Sequence, residues 1–132
     1  MPMSNYLKQR VINAALARQA FPSISNVFVG LFTTNPGDDG TTGTEVTGGG
    51  YARKQVIFGA PSFTGGTASA VNTTEVDFGI ATADWGTITH AALFDAVASG
   101  NMLYHSALSS AKIIEKDDSL RFAVGKLTAS QS

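Results

Sequence analysis

Cysteine is absent from the 132-residue chain and charge is scarce. Without cysteine the fold gains nothing from disulfides, and neither a thiolate metal site nor a thiol nucleophile is available. A cysteine-free chain tolerates reducing and oxidising surroundings alike. Charged residues make up 14% of the sequence, against ~25% in ordinary soluble domains, and the formal net charge is −1. With no basic run and no acidic tail, broad attraction to nucleic acid or to an anionic membrane surface is not expected. No apolar run approaches the ~18 residues of a membrane span. Lys8, Arg10 and Arg18 interrupt what would have to be the apolar core of a signal peptide, so the chain is expected to fold where it is translated.

What is present is β-like. Glycine is plentiful, and Thr, Ser and Ala fill much of the rest, as suits a neutral outer surface partly covered by neighbours. The exception is residues 3–20, "MSNYLKQRVINAALARQA". Ser4 is placed as an N-cap, and Leu7, Val11, Ala14 and Ala15 follow at helical spacing. Phe21-Pro22 stops this helix, because the residue before proline is pushed out of the helical region. The helix either packs on the sheet of its own domain or docks on a partner.

From Asn26 the period changes to two. "NVFVGLFTT" is apolar on both faces, as a central sandwich strand would be. Residues 35–50 form a long turn-rich loop, "YARKQVIFG" the next strand, and "PSFTGGTASAVN" another loop. "TTEVDFGIA" alternates Val76, Phe78 and Ile80 against Glu75, Asp77 and Gly79. "GTITHAALFDA" places Ile88, His90, Ala92 and Phe94 on one face. A Ser-Gly-Asn turn at 99–101 leads into "MLYHSAL", and the closing segment supplies two more strands around Lys116-Asp117-Asp118. The expectation is a single domain, 1–132, mainly β: an antiparallel β-sandwich or jelly-roll-like body over 26–128 behind one N-terminal α-helix.

No catalytic constellation emerges. Gly48-Gly49-Gly50 looks like a phosphate loop but runs into Tyr51-Ala52-Arg53 and a strand rather than into Gly-Lys-[Ser/Thr] and a helix. Glycines of positive φ shaping the passage from loop to strand are the simpler reading. His90 and His105 are the only histidines, and Asp95, five residues from His90, falls on the opposite face of a regular strand. Asp38-Asp39-Gly40 lacks the alternating ligands of a calcium loop. No metal, no cofactor and no enzymatic activity are expected. Arg53 and Lys54 are adjacent strand residues pointing to opposite faces. Trp85 either packs the end of a sheet or anchors a subunit interface.

Three segments carry a resemblance: "VFVGLFTTNP" (27–36), "GTEVTGGGYARKQVIFG" (43–59) and "DWGTITHAALFDAVASGNMLYHSAL" (84–108). With "MSNYLKQRVINAAL" and "KIIEKDDSLRFAVGKL" the likeness spans nearly the whole chain. It resembles small virion proteins of tailed bacteriophages, of the kind called phage tail fibre, head-fibre or decoration proteins. Ala91-Ala92 departs from the glycine that such sequences more often carry there.

The resemblance implies a non-enzymatic accessory component of tail fibre or head, assembled in the host cytoplasm into the virion. Its expected partners are other virion proteins of capsid or tail and copies of itself, with a trimer as the expected form. Interface candidates are Tyr51, Arg53 and Trp85, with Leu7 and Val11 on the helix. The alternative is a carbohydrate-binding adhesion module that uses its long polar loops, Tyr51 and Trp85 on a host surface glycan.

Overall fold

The computed structural model describes residues 1–131. Its one described helix, α1 (Asn5–Ala15), starts where a hydroxyl can satisfy a free N–H. The Ser4 hydroxyl accepts the Leu7 N–H at 3.2 Å and donates to the Met102 carbonyl, while the Ser4 N–H donates to Leu103 at 2.8 Å. The cap thus joins the helix to a strand nearly a hundred residues away. α1 is shorter than the expected 3–20. Met3 belongs to a β-bridge with Tyr104, and the far end closes well before Phe21-Pro22. There Arg18 takes a φ of 59° and the Gln19 N–H turns back to the Asn13 carbonyl at 3.0 Å. Leu7 is the helix's only buried residue.

Nine strands follow among the described residues: β1 (Val27–Phe32), β2 (Lys54–Val56), β3 (Ser62–Thr64), β4 (Thr67–Val71), β5 (Val76–Ile80), β6 (Gly86–Phe94), β7 (Met102–Ile114), β8 (Ser119–Phe122) and β9 (Thr128–Gln131). They form three antiparallel sheets in the orders β2-β1-β6-β7, β3-β4-β9 and β5-β8. One face of the four-stranded sheet contributes Val29, Leu31, Ala91 and Leu93 to the main core, which Val76 and Phe78 of β5 and Leu120 of β8 complete. The other face holds a smaller cluster of Phe32, Ala92, Phe94 and Met102. The sandwich expected from the alternation is therefore present.

Several details differ from the sequence reading. The strand expected over 51–59 covers only 54–56, and a register shift in the β5–β8 ladder leaves Ile80 exposed rather than inward with Val76 and Phe78. Residues 61–72 form the β3–β4 hairpin rather than a loop. Its two-residue turn is Gly65-Gly66, with φ of 57° and 82°, the geometry whose twist matches the flanking strands. The strand that begins at Met102 continues to Ile114 in one run. The faces of β6 also change partway along. A bulge between Ile88 and His90 puts Ile88 in the main core together with Ala91 and Leu93, while Ala92 and Phe94 face the smaller cluster. Across the same bulge Ile88 pairs with Lys112 and His90 with Ala107, so residues 108–111 have no partners in the ladder with β6.

Asn72 fastens the chain's final turn. Fully buried, it donates from its amide nitrogen to Thr74 O at 2.8 Å and Ala123 O at 3.1 Å, and accepts the Leu127 N–H at 2.9 Å. Each such bond contributes about 1 kcal/mol, and a buried group left unpaired costs more. Asn72→Ala is expected to lower stability by about 3 kcal/mol, read as a fall in the urea midpoint at unchanged m-value.

Candidate functional site

The segment that most resembles a site, "EVTGGGYAR", folds into a compact knot. Residues 48–50 are three consecutive glycines in the left-handed region, with φ of 71°, 61° and 78°. The turn closes with the Tyr51 N–H donating to Gly48 O at 3.1 Å. Gly49 is the critical one. Its carbonyl accepts the Trp85 indole N–H at 2.9 Å and the Thr82 N–H at 2.9 Å. A methyl group there would stand 2.9 Å from the Trp85 ring and 3.0 Å from Ala83 O. The turn therefore seats an indole rather than a phosphate.

Tyr51 runs from that turn into the core. Its ring stacks on Phe78 (centroids 6.1 Å apart) and meets Trp85 edge-on at 5.7 Å. The hydroxyl accepts the Leu31 N–H at 2.9 Å and donates to Glu45 Oε2 at 2.6 Å. That N–H lies beyond the last β1–β2 pair, Val29 with Lys54, and Tyr51 satisfies it where β2 has already turned away. Burial, and then the bond to the Glu45 carboxylate, pushes the phenol well above its ordinary pKa of 10.0.

Arg53 completes the network. Its Nε and Nη2 form a fork on Glu45 at 2.8 and 2.7 Å, and Nη1 donates to Ala96 O at 3.1 Å and Ser99 O at 2.7 Å. The guanidinium lies 3.5 Å from the centre of the Phe94 ring, with only 8% of the side chain exposed. Gly30 makes room: a Cβ there would come within 3.1 Å of both Glu45 Oε2 and Phe94. Such a planar, bidentate, desolvated pair uses arginine in a way lysine cannot reproduce.

Tyr51, Arg53 and Trp85 are thus brought together, each engaged inside this chain. Leu7 is buried in the main core and Val11 packs partly against it. A shallow recess opens beside the network, bounded by Thr47, Gly48, Ala52 and Val97. Glu45, which sequence reasoning passed over, is the hub. The signal was present: in a chain so poor in charge, an acid eight residues before an arginine, across three glycines, suggests a buried pair.

The histidines lie on β6 and β7. The His105 ring, mostly buried, meets Asp38 Oδ1 at 2.7 Å, and Lys8 reaches Asp38 Oδ2 at 3.0 Å. Hydrogen bonds from His105 and then Lys8 hold the Asp38 carboxyl below its usual range. The Asp38 carbonyl also accepts the Asn5 N–H at 2.8 Å, so the long loop is tied down on α1 and β7. His90 contacts the Thr89 hydroxyl at 2.8 Å, and burial, then the charge of His105, lowers its pKa. Among the described residues, no three His, Asp or Glu side chains gather into a group that could hold a metal ion.

Two expectations follow. Gly48→Ala and Gly49→Ala both put a side chain at positive φ, at about 1–2 kcal/mol each, but only at position 49 does the methyl strike the indole. The second variant should therefore lose markedly more stability in urea and redshift the Trp85 emission, while the first should not. The Tyr51 phenol supplies stability that is fully present below its ordinary pKa of 10.0 and is lost as pH rises towards its elevated folded-state value. In a spectrophotometric titration, the phenolate absorbance of the folded protein at about pH 11 should be the same for the wild type and Tyr51→Phe.

No helix among the described residues is long and apolar enough to cross a membrane. No curated protein matches the sequence. The family model described as "Podophage GP4 fiber I protein gp80" matches residues 2–130, which takes in the helix, the glycine turn with its Glu45–Tyr51–Arg53 network and nearly all of the strands. The chain belongs to this family of phage fibre proteins, components of the virion.

Proposed function

We propose that the chain is a non-enzymatic accessory subunit of the virion fibre, held in place by contacts with other virion proteins and with copies of itself. The observation that carries this reading is apolar surface on a chain whose family is a fibre family. Ile12 on α1 and Leu16 at its C-cap lie one turn apart, 56% and 78% exposed, and Phe21 follows at 42%. Aliphatic side chains at this spacing suit a helix that is covered by a neighbour in the particle. Several side chains that could serve catalysis are engaged within the fold: His105 and Lys8 bind Asp38, and Arg53 binds Glu45.

Trimeric self-association is the expected form, with assembly in the host cytoplasm. A place on the head as a decoration subunit is the competing location. The carbohydrate-binding reading is weaker, because the rings of Tyr51 and Trp85 are packed against each other and Phe78 and are not free to stack on a sugar.

The test is quantitative mass spectrometry of purified particles, with light scattering of the isolated protein. The expected result is a few copies for each fibre and a multimeric mass that Ile12→Ser with Leu16→Ser reduces without unfolding the chain. A copy number close to that of the capsid subunit would move the protein to the head. Failure to sediment with particles would refute the virion role.

A further inference from the structure

Beneath β7, on the side away from the Arg53 network, an open groove of about 510 Å³ runs between β7 and the segment from β8 to β9. Its floor is apolar, formed by the buried Ala91, Leu120 and Leu127. Its rim is cationic. Lys112, Arg121 and Lys126 line it, three of the chain's nine basic residues, and none of the ten acidic residues does. Lys112 and Lys126 have no ion pair among the described residues. Arg121 reaches Glu75 only at 3.7 Å, with both side chains exposed, a contact worth little in water. In a chain of net charge −1, this is a local concentration of positive charge whose one ion pair among the described residues is the long, exposed contact of Arg121 with Glu75.

The wall supplies a second observation. Residues 108–111 are the part of β7 without ladder partners on β6, and Leu108, Ser109 and Ser110 border the groove. Their backbone groups and the two hydroxyls stand beside the cationic rim. β8, on the opposite wall, pairs only with β5. Backbone without ladder partners on one wall, and a strand paired on only one side on the other, suit an extended polypeptide better than a sugar chain. The aromatic ring in the lining, Phe122, packs partly into the main core and meets Phe78 edge-on.

We propose that this groove receives an extended acidic segment of a neighbouring virion protein. Its backbone bonds to residues 108–111, its carboxylates meet Lys112, Arg121 and Lys126, and its alternate apolar side chains rest on Leu120 and Leu127. The proposal rests on the virion reading above and names the kind of partner that reading requires.

The test is nuclear magnetic resonance on the full chain, titrated with a peptide of about ten alternating Glu and Val residues, and separately with polygalacturonate. The peptide should shift the amides of residues 106–112 and slow hydrogen exchange at 108–111. Lys112→Glu with Lys126→Glu, both at exposed positions, should weaken binding by about tenfold or more, with the far-UV spectrum unchanged. The same reversal at Lys54 and Lys116, outside the groove, should not. Binding of polygalacturonate alone, no footprint at 106–112, or equal weakening by the two double variants would each overturn the proposal. In particles, uptake of wild type but not of the Lys112/Lys126 variant supports it. Equal uptake of both sinks the groove and leaves the virion reading standing, whereas exclusion of both sinks the virion reading itself.

Discussion

A buried guanidinium is costly to leave unpaired, and Arg53 places four of its five N–H donors on partners from separate parts of the chain. The fork on Glu45 fixes the long loop after β1. The bonds to Ala96 and Ser99 fix the turn between β6 and β7, and the face of the cation covers Phe94. Taking charges out of water is costly, and the cost is offset here by the bidentate fork, the two carbonyl bonds and the ring beneath the cation. Removing either partner would strand the other, at about 3–5 kcal/mol. Much of the surrounding sequence serves this pair. Gly30 leaves it space, Tyr51 donates to the same carboxylate, and the glycine turn brings Tyr51 and Arg53 to it. The run that looks most like a ligand loop is the fold's internal fastening.

The bulges decide which side chains the outside meets. Without the irregularity between Ile88 and His90, Ile88 would share a face with Ala92 and Phe94, and the main core would lose its contribution from that end of β6. The same irregularity releases residues 108–111 from the ladder beside a rim of cations. One local departure from pairing thus serves packing on one strand and leaves a binding surface on the other.

How much of this was legible depended on sequence distance. The Ser4 cap, β1 with two apolar faces, the inward Val76 and Phe78 of β5 and the turn at 99–101 are written in adjacent residues. Ile80, expected on the same face as Val76 and Phe78, is instead exposed beyond a register shift in the β5–β8 ladder. The β3–β4 hairpin was passed over because Ser, Thr and Ala give no contrast between faces, and only Gly65-Gly66 marked it. The bulge was invisible because period-two alternation assumes an unbroken ladder. At the candidate site, residue types were legible and their roles were not. Tyr51, Arg53 and Trp85 stood out as unusual, yet only the fold shows that they engage Glu45, Gly49 and Phe94 rather than lying open.

The Ser4 cap has a consequence in time. The helix it starts is held by the carbonyl of Met102, β4 by β9, and the β4–β5 corner by Leu127 through Asn72. α1, β1, β4 and β5 thus each wait for a partner from the last third of the chain. At ordinary elongation rates of about 5–20 residues per second, the N-terminal part is exposed for seconds before those partners emerge from the ribosome. Loop closure over such separations makes folding slow, and folding as domains are synthesised in order gains little here. The chain must stay soluble while unpaired and then fold nearly all at once. A composition poor in long apolar runs and rich in Gly, Ser and Thr suits that wait as well as it suits the finished sandwich.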